Sequence, residues 1–366
     1  MNINLMAPIN QLGYGVASLN ILKALQKEGV DVGLSVIGQP QITTEEDAQA
    51  VRRAIESAKT FDNKAPCIKI WHQNDMAQRI GSGRMIGFPI FELDTFSDLE
   101  KHHLSSCDEL MVCSQWAKDV VMDQCPPTSY RGVPIEEFDD ESRVHVVPLG
   151  VDAELFPPAK PNITDKTVFL NCGKWEIRKG HDILIESFKR VAEKHDNVEL
   201  WMMCTNPFNS PEEEAKWTKL YDHPKVKLIP RMPSQREVYN IMTHADCGVF
   251  PSRGEGWNLE LLEMMAIGRH VIATNYSAHT EFCNEDNCKL LPIKEVEPAF
   301  DGKWFFEQGN WAKLDDESIS ELETQMINFH TMRSEQKDYV NQNGIETANN
   351  FSWQNTAKKI IQCLQN

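Results

Sequence analysis

Two glutamates in the second half of the chain, Glu255 and Glu263, are separated by seven residues. The residues around them form a pattern that is typical of a ligand site. Gly254 and Gly256 flank the first glutamate and permit a close ligand approach that a Cβ would block. Asn258 is a good N-cap for a helix that would contain the second glutamate. A helix start offers free N–H groups and a positive dipole end to an anion. Two such glutamates are more often solvent-facing charges, but this context predicts a phosphate site with both carboxylates at its border.

The surrounding pattern indicates how these residues are positioned. The apolar run 247–250 ends at a proline and predicts a buried strand, and the run 270–274 predicts the next one. Between them, apolar residues recur at helical spacing up to Gly268, which suits a left-handed C-cap. The same strand and helix alternation extends over both halves of the chain and predicts parallel sheets covered by helices. Ligands of such sheets bind at the carboxyl ends of the strands.

The segment 251–268, PSRGEGWNLELLEMMAIG, resembles the signature of glycosyltransferase family 4, which comprises retaining nucleotide-sugar transferases with the GT-B fold. Other segments resemble this family in the same order over nearly the whole chain. They are 108–121, 145–156, 171–191, 309–322 and 351–353. The resemblance implies two Rossmann-like domains that face each other across a cleft. It assigns residues 1–155 to an acceptor-side domain, 156–345 to a nucleotide-sugar domain, and 346–366 to a helix that crosses back to the first domain.

The resemblance also implies roles for the residues of the second half. Glu255 would face the donor sugar, and Glu263 would accept hydrogen bonds from the ribose as an ionised carboxylate. The backbone at 256–259 (Gly256, Trp257, Asn258 and Leu259) would meet the phosphates. Lys179 matches the lysine that binds the diphosphate, whose growing charge is stabilised by fixed cations.

Three positions depart from the family pattern. Lys174 stands where the family has an arginine, so the compact charge of an ammonium group replaces the two-pronged donor geometry of a guanidinium. Arg178 is a candidate to take over the role of that arginine. As an alternative, the basic residues before Gly180 form a solvated loop. Asn258 replaces the second glycine of the signature, which predicts a more restricted backbone. Residues 277–282, SAHTEF, replace a Gly-Gly turn, and only Glu281 matches.

The first half contributes three candidates. The first is a loop of Gly13, Tyr14 and Gly15, which precedes a helix predicted to begin at Val16. Family relatives have a donor-binding loop at this place. The alternative interpretation is a generic tight turn. His72 follows a strand and could hydrogen-bond a sugar hydroxyl, and it is grouped with Glu255 and Lys179 as a catalytic residue. Glu92, after the next strand, is an acceptor-side candidate. Either side chain could instead be structural.

Composition limits the function classes. The 366 residues have a net charge of −17, which disfavours nonspecific attraction to nucleic acid or to anionic membranes but leaves room for a local basic patch. No run of about 18 apolar residues or secretory leader is visible, so a soluble, cytoplasmic protein is expected. The ten cysteines lack zinc-like spacing, which favours reduced, buried thiols and no metal.

The predicted function is therefore transfer of a sugar from a nucleoside-diphosphate sugar to a sugar, glycan or other hydroxyl acceptor, with retention of configuration. No cofactor is expected besides that co-substrate. Alternatives are epimerisation or phosphorolysis on the same fold, glycosylation of modified DNA, and a non-catalytic module that binds the nucleotide sugar.

Overall fold

The computed structural model describes residues 1–125, 129–130, 133–134, 143–336 and 339–365. They divide into two compact units. The first comprises Met1–Gly150 together with Phe351–Asn366, and the second comprises Val151–Asn350.

The first unit contains a six-stranded parallel sheet in the order β2-β1-β3-β4-β5-β8, and a separate two-stranded pair, β6 and β7. Its strands are β1 Asn2–Ala7, β2 Asp31–Val36, β3 Cys67–Trp71, β4 Met85–Pro89, β5 Glu109–Val112, β6 Ser129–Tyr130, β7 Val133–Pro134 and β8 Val144–Val146. Its helices are α1 Gly13–Lys27, α2 Glu45–Ala58, α3 Asp98–Ser105, α4 Gln115–Gln124 and α11 Trp353–Gln365. Helix α11 packs on α1 within this unit, and its Thr356 hydroxyl donates to the carbonyl of Pro148 at 2.8 Å.

Helix α1 begins earlier than the sequence predicts. Its first residue is Gly13, not Val16, so the predicted glycine-rich loop forms the first helical turn. The Asn10 side chain accepts from Leu12 N–H at 2.9 Å and turns the chain into the helix. A Cβ at Gly15 would lie 2.4 Å from the Asn10 backbone nitrogen, so only glycine allows this approach.

The second unit is also built on six parallel strands, in the order β11-β10-β9-β12-β13-β14. These strands are β9 Thr167–Gly173, β10 Val198–Cys204, β11 Val226–Leu228, β12 Cys247–Phe250, β13 His270–Thr274 and β14 Lys289–Leu291, and β15 Val296–Phe300 pairs with β16 Phe306–Ala312 as an antiparallel hairpin. Its helices are α5 His181–Lys194, α6 Pro211–Leu220, α7 Gln235–Met242, α8 Leu259–Ala266, α9 Asp316–Glu335 and α10 Gln342–Asn350. The two predicted strands beside Glu255 and Glu263 are thus confirmed as β12 and β13.

Strand order determines which loops meet. The chain runs from β9 outward to β10 and β11, and it then returns to place β12 on the other side of β9. Cys247 pairs with Phe169 in parallel, so the segments that follow β9 and β12 emerge side by side. This is the topological switch point at which open α/β sheets bind ligands.

The family-like segment 309–322 contains both the end of strand β16 and the start of a helix. Helix α9 does begin inside this stretch, at Asp316, with Asp315 as its N-cap. Gly309–Ala312, however, belong to β16, because they pair with β15 in the hairpin.

The thiols agree with the sequence-based expectation. All ten cysteines are free, and only Cys363 is not buried. Among the helices of the described residues, none combines the length and apolar character needed to cross a bilayer.

Candidate active site

The segments that follow β9 and β12 contact each other closely at a glycine, Gly180. Ile177–Lys179 form a 3₁₀ turn, and Gly180 then adopts a left-handed conformation, with φ +69°, before α5. A Cβ on Gly180 would lie 1.9 Å from the Pro251 carbonyl oxygen. Arg253 strengthens this junction, because its guanidinium binds both carboxylate oxygens of Asp182 at 2.8 Å.

Glu255 is the centre of a buried ionic cluster. Its carboxylate accepts from Arg178 Nη1 at 2.9 Å and contacts Lys179 Nζ at 2.7 Å. The Ser252 hydroxyl donates to the same carboxylate at 2.7 Å. Arg178 also donates to the Gly254 carbonyl at 2.6 Å. The structure thus brings together residues from two separate motifs, since Arg178 and Glu255 are 77 positions apart in the sequence.

The charges of this cluster are mutually stabilised. Burial by itself would raise the pKa of Glu255, but Lys179 and Arg178 hold that pKa well below its ordinary value. Burial opposes the charge on Lys179, yet the Glu255 carboxylate raises the Lys179 pKa above its ordinary value. At neutral pH Glu255 is therefore negatively charged and Lys179 positively charged, so Lys179 can act as a fixed cation for an anionic ligand.

Glu176 is a member of the cluster that sequence reasoning missed. Its carboxylate pairs with Arg178 Nη2 at 2.7 Å and with Lys174 Nζ at 2.8 Å. Burial acts to raise its pKa, but Arg178 and Lys174 lower that pKa to about 2. Lys174 thus contacts Glu176 and is partly exposed, whereas Arg178 reaches Glu255. Three cations and two carboxylates leave this site with one net positive charge.

The start of α8 differs from the sequence-based expectation. Asn258 was predicted to restrict the backbone, yet it adopts a glycine-like conformation with φ +86°. Its Oδ1 caps the helix by accepting from Leu261 N–H at 3.2 Å, which confirms the predicted N-cap. Its Nδ2 contacts His279 Nε2 at 2.9 Å. Within the described part of the chain, the backbone N–H groups of Asn258 and Leu259 have no acceptor. An anion can therefore bind there.

The segment 277–282, which stands in place of a Gly-Gly turn, begins with a 3₁₀ turn that contacts the Glu255 loop. Ser277 has φ +53°, and its hydroxyl accepts from Glu255 N–H at 2.9 Å. Ala278 N–H donates to the Glu255 carbonyl at 3.2 Å. Glu281, the position that matches the family, ends the 3₁₀ turn Ser277–Glu281.

Glu263 lies on α8 and is 7% exposed. No hydrogen bond or ion pair to its carboxyl group is found among the described residues. Burial and the neighbouring Glu260 raise its pKa well above the ordinary value. The raised pKa opposes the ionised form that the sequence-based role of Glu263 requires, because burial disfavours the charged carboxylate.

The first-half candidates also meet, at the carboxyl ends of β1, β3 and β4. The rings of Tyr14 and His72 are 4.6 Å apart, and Trp71 contacts both. The Tyr14 hydroxyl donates to the Ile90 carbonyl at 2.5 Å and accepts from Ile90 N–H at 3.2 Å. Burial, followed by the charge of Glu92, raises the Tyr14 pKa well above its ordinary value.

The exposure of these candidates differs. His72 and Gly13 are exposed, and a Cβ on Gly13 would meet no atom within 4 Å. Gly15, in contrast, is buried against Asn10 and so has a packing role.

The missed residues share a weak sequence signal. Glu176 and Ser252 lie inside the family-like segments, and Ser277 and His279 lie in the segment 277–282, but none has a diagnostic spacing of its own. Their contacts depend on which loops the sheet order brings together. In the residues that the structure describes, no group of three His, Cys, Asp or Glu side chains could hold a metal ion.

Known proteins share this fold. Sucrose-phosphate synthase from Thermosynechococcus elongatus superposes with a TM-score of 0.68 at 15% identity, covering 99% of this chain and 98% of that one. The Anabaena protein HepE, solved in complex with UDP-glucose, gives a TM-score of 0.67 at 14% identity and covers 100% and 99% of the two chains. These likenesses establish the GT-B fold that the sequence predicted.

Sequence comparison locates the family in the second unit. An uncharacterized glycosyltransferase of Methanocaldococcus jannaschii is 27% identical over 207 residues, which cover 54% of this chain and 48% of that protein. This chain thus spans about half the length of that curated relative. Residues 166–300, which contain the ionic cluster and α8, match the model of the family described as glycosyl transferases group 1. The chain thus has the GT-B fold, and a segment of its second unit matches the glycosyl transferases group 1 model.

Proposed function

We propose that the chain is a retaining glycosyltransferase that uses a nucleoside-diphosphate sugar and transfers the sugar to an acceptor hydroxyl. The observation that supports this most directly is the buried cluster of Glu255, Arg178 and Lys179 at the start of α8. It combines fixed positive charge with unoccupied backbone N–H groups, and it lies in the segment that matches the family. The UDP-glucose complex of HepE supports this choice of donor class by analogy.

The proposed donor pose follows from the charges. The diphosphate lies between the Arg178–Lys179 pair and the N–H groups of Asn258 and Leu259. The carboxyl group of Glu263 binds the ribose hydroxyls. Glu255 keeps the two cations in position before the donor arrives and then borders the sugar. Such preorganisation reduces the reorganisation required when charge develops on the leaving group.

The proposed reaction breaks the bond between the anomeric carbon and the oxygen of the β-phosphate. The acceptor oxygen bonds to the same face of that carbon. The acceptor proton passes to the leaving diphosphate, whose charge Lys179 and Arg178 stabilise. Each cation removed should therefore weaken both donor binding and turnover. His72 and Glu92 are proposed acceptor-side residues of the first unit, and separate substitutions of each would test them by their effect on acceptor KM.

A thermal-shift panel of UDP, GDP, ADP and their common sugar conjugates tests the donor site. A ligand that binds only the folded protein stabilises it by about 2.7 kcal/mol at a hundredfold excess over Kd. We expect one base to shift the wild-type protein, and Lys179→Met to abolish that shift. Lys189→Met, on the exposed side of α5, is the matched control and should leave the shift intact.

Turnover then distinguishes the remaining alternatives. Nucleotide release that depends on an acceptor, with a product of the donor's anomeric configuration, supports a retaining transferase. Binding without turnover would indicate a non-catalytic module. The absence of a shift with every nucleotide would contradict the proposed donor site.

A further inference from the structure

The second unit contains two residues in a strained backbone conformation beside the same loop. Among the described non-glycine residues, positive φ occurs at Asn258, Ser277 and Glu307, and the first two adjoin the Glu255 loop. Such conformations are unfavourable for L-residues and persist only where the surroundings enforce them. Asparagine tolerates this region better than most residues do, but its side chain must still be held in place.

The buried side chain of His279 supplies the enforcing contacts. Its Nδ1 lies 3.0 Å from the Thr274 carbonyl oxygen, which can only accept, so Nδ1 holds the proton. Its Nε2 is therefore an acceptor for Asn258 Nδ2–H at 2.9 Å. Asn258 Oδ1 in turn accepts from Leu261 N–H, which fixes the orientation of the amide. His279 is fully buried, and burial lowers its pKa, which keeps it in the neutral form that this acceptor role requires.

We propose that His279 is a positioning residue of the donor site, whose imidazole holds Asn258 in the left-handed conformation that sets the start of α8. The hydrogen-bonded pair of His279 and Asn258 takes the place of the second glycine of the signature, which would adopt this conformation without support from a neighbour. Through Asn258, His279 orients the free N–H groups of Asn258 and Leu259 toward the proposed diphosphate. This inference rests on the proposed function for its ligand, but the hydrogen bonds that carry it do not depend on the ligand.

A purely structural role predicts a different outcome. His279 packs at a ring distance of 6.4 Å from Phe282, so its loss will lower Tm whatever its effect on the loop. Two substitutions of similar size separate these effects. His279→Gln offers an amide oxygen as an acceptor for Asn258, whereas His279→Leu fills the space without one.

The decisive experiment combines these variants with Asn258→Gly. Glycine adopts φ +86° without a hydrogen-bonded neighbour to hold it, and it is an acceptable N-cap residue. We expect His279→Leu to weaken the binding of the nucleoside diphosphate by about 10-fold, and His279→Gln to have a smaller effect. In the Asn258→Gly background, the loss of affinity caused by His279→Leu should fall to about 3-fold or less, while the part of the Tm loss that comes from packing against Phe282 persists. Equal losses of affinity in both backgrounds would overturn the proposal.

A ligand-independent measurement keeps the two proposals apart. Asn258 protects the Leu261 amide, so hydrogen exchange at Leu261 should be faster in His279→Leu than in His279→Gln. If the wild type binds none of UDP, GDP and ADP, the proposed donor site fails, and exchange at Leu261 alone decides the inference about His279. Unchanged exchange in His279→Leu would reject that inference even if nucleotides bind.

Discussion

Glu263 shows how a residue proposed to bind a ligand can act against the stability of the protein that contains it. The side chain is buried, it has no partner among the described residues, and its pKa is raised. A carboxyl group with a raised folded-state pKa destabilises the protein above its unfolded-state pKa of about 4.3. This penalty disappears as the pH falls below that value, because both states are then protonated. Ribose hydroxyls would supply the donors that the free site lacks.

We therefore predict opposite effects of Glu263→Gln on stability and on binding. At pH 7 the variant should unfold at a temperature several degrees higher than the wild type, since a gain of 1 kcal/mol shifts Tm by about 2–4 °C in a unit of this size. The gain should vanish near pH 4. Nucleotide affinity should fall by about 10-fold or more, because hydrogen bonds to a charged acceptor are lost.

Two controls test the interpretation of Glu263. Glu193→Gln, at an exposed position on α5, should give no gain in Tm at pH 7. A 2′,3′-dideoxynucleotide should bind the wild type and Glu263→Gln with equal affinity. If the variant instead discriminates against the dideoxynucleotide as strongly as the wild type does, Glu263 does not bind the ribose.

At the scale of elements, the junction of two loops decides the geometry of the site. The 3₁₀ turn after β9 contributes Arg178 and Lys179, and the loop after β12 contributes Glu255. Gly180 lets the two segments approach each other, because it has both a positive φ and no Cβ to meet Pro251. A side chain at position 180 would push the two segments apart and so move Arg178 and Lys179 away from the Glu255 carboxylate.

Gly180→Ala should consequently destabilise the second unit by about 3 kcal/mol or more, since strain and overpacking add. Thermal unfolding and nucleotide affinity should both decline. Gly13→Ala is the matched control, because this glycine has open space around it and an ordinary helical conformation. It should preserve or slightly raise stability, by about 0.4–1 kcal/mol. Equal losses in both variants would refute the role assigned to the Gly180 junction.

Elements were predictable where the local pattern determined them. The apolar runs gave β12 and β13, and Asn258 and Gly268 marked the ends of α8, because strand burial and helix capping are local properties. The segments that resemble the family also led to the prediction of Arg178, Lys179, Glu255 and Glu263 as site residues. Their mutual contacts were not predictable, since they depend on β12 lying next to β9. The same holds for Glu176 and His279, which become site residues only through neighbours from other loops.

The start of α1 and the conformations of Asn258 and Ser277 were missed for a different reason. Propensity placed the helix start after the glycines, but the Asn10 side chain turns the chain before Gly13. A non-glycine residue normally argues against positive φ, and here tertiary hydrogen bonds override that preference. Side-chain contacts of this kind leave no periodic trace in a sequence.

At the scale of the whole molecule, the last sixteen residues belong to the unit that begins at Met1. Ile360, on α11, is fully buried, and Arg84 donates to the Leu364 carbonyl at 2.8 Å. The core of the first unit is therefore completed by residues that follow the whole second unit in the sequence. Met326, on α9, is equally buried in the core of the second unit.

These two positions allow a test of whether the units unfold separately. Each of Ile360→Ala and Met326→Ala should lower the stability of its own unit by about 2–5 kcal/mol, through lost burial and the cavity left behind. We expect Ile360→Ala to accelerate amide exchange in β1 and β3, and Met326→Ala to accelerate it in β9 and β12. Nucleotide affinity measured well below both transitions should change little in either variant. Acceleration in both sheets by either substitution would instead mean that the two units unfold as one cooperative structure, because local opening would then be coupled to global unfolding.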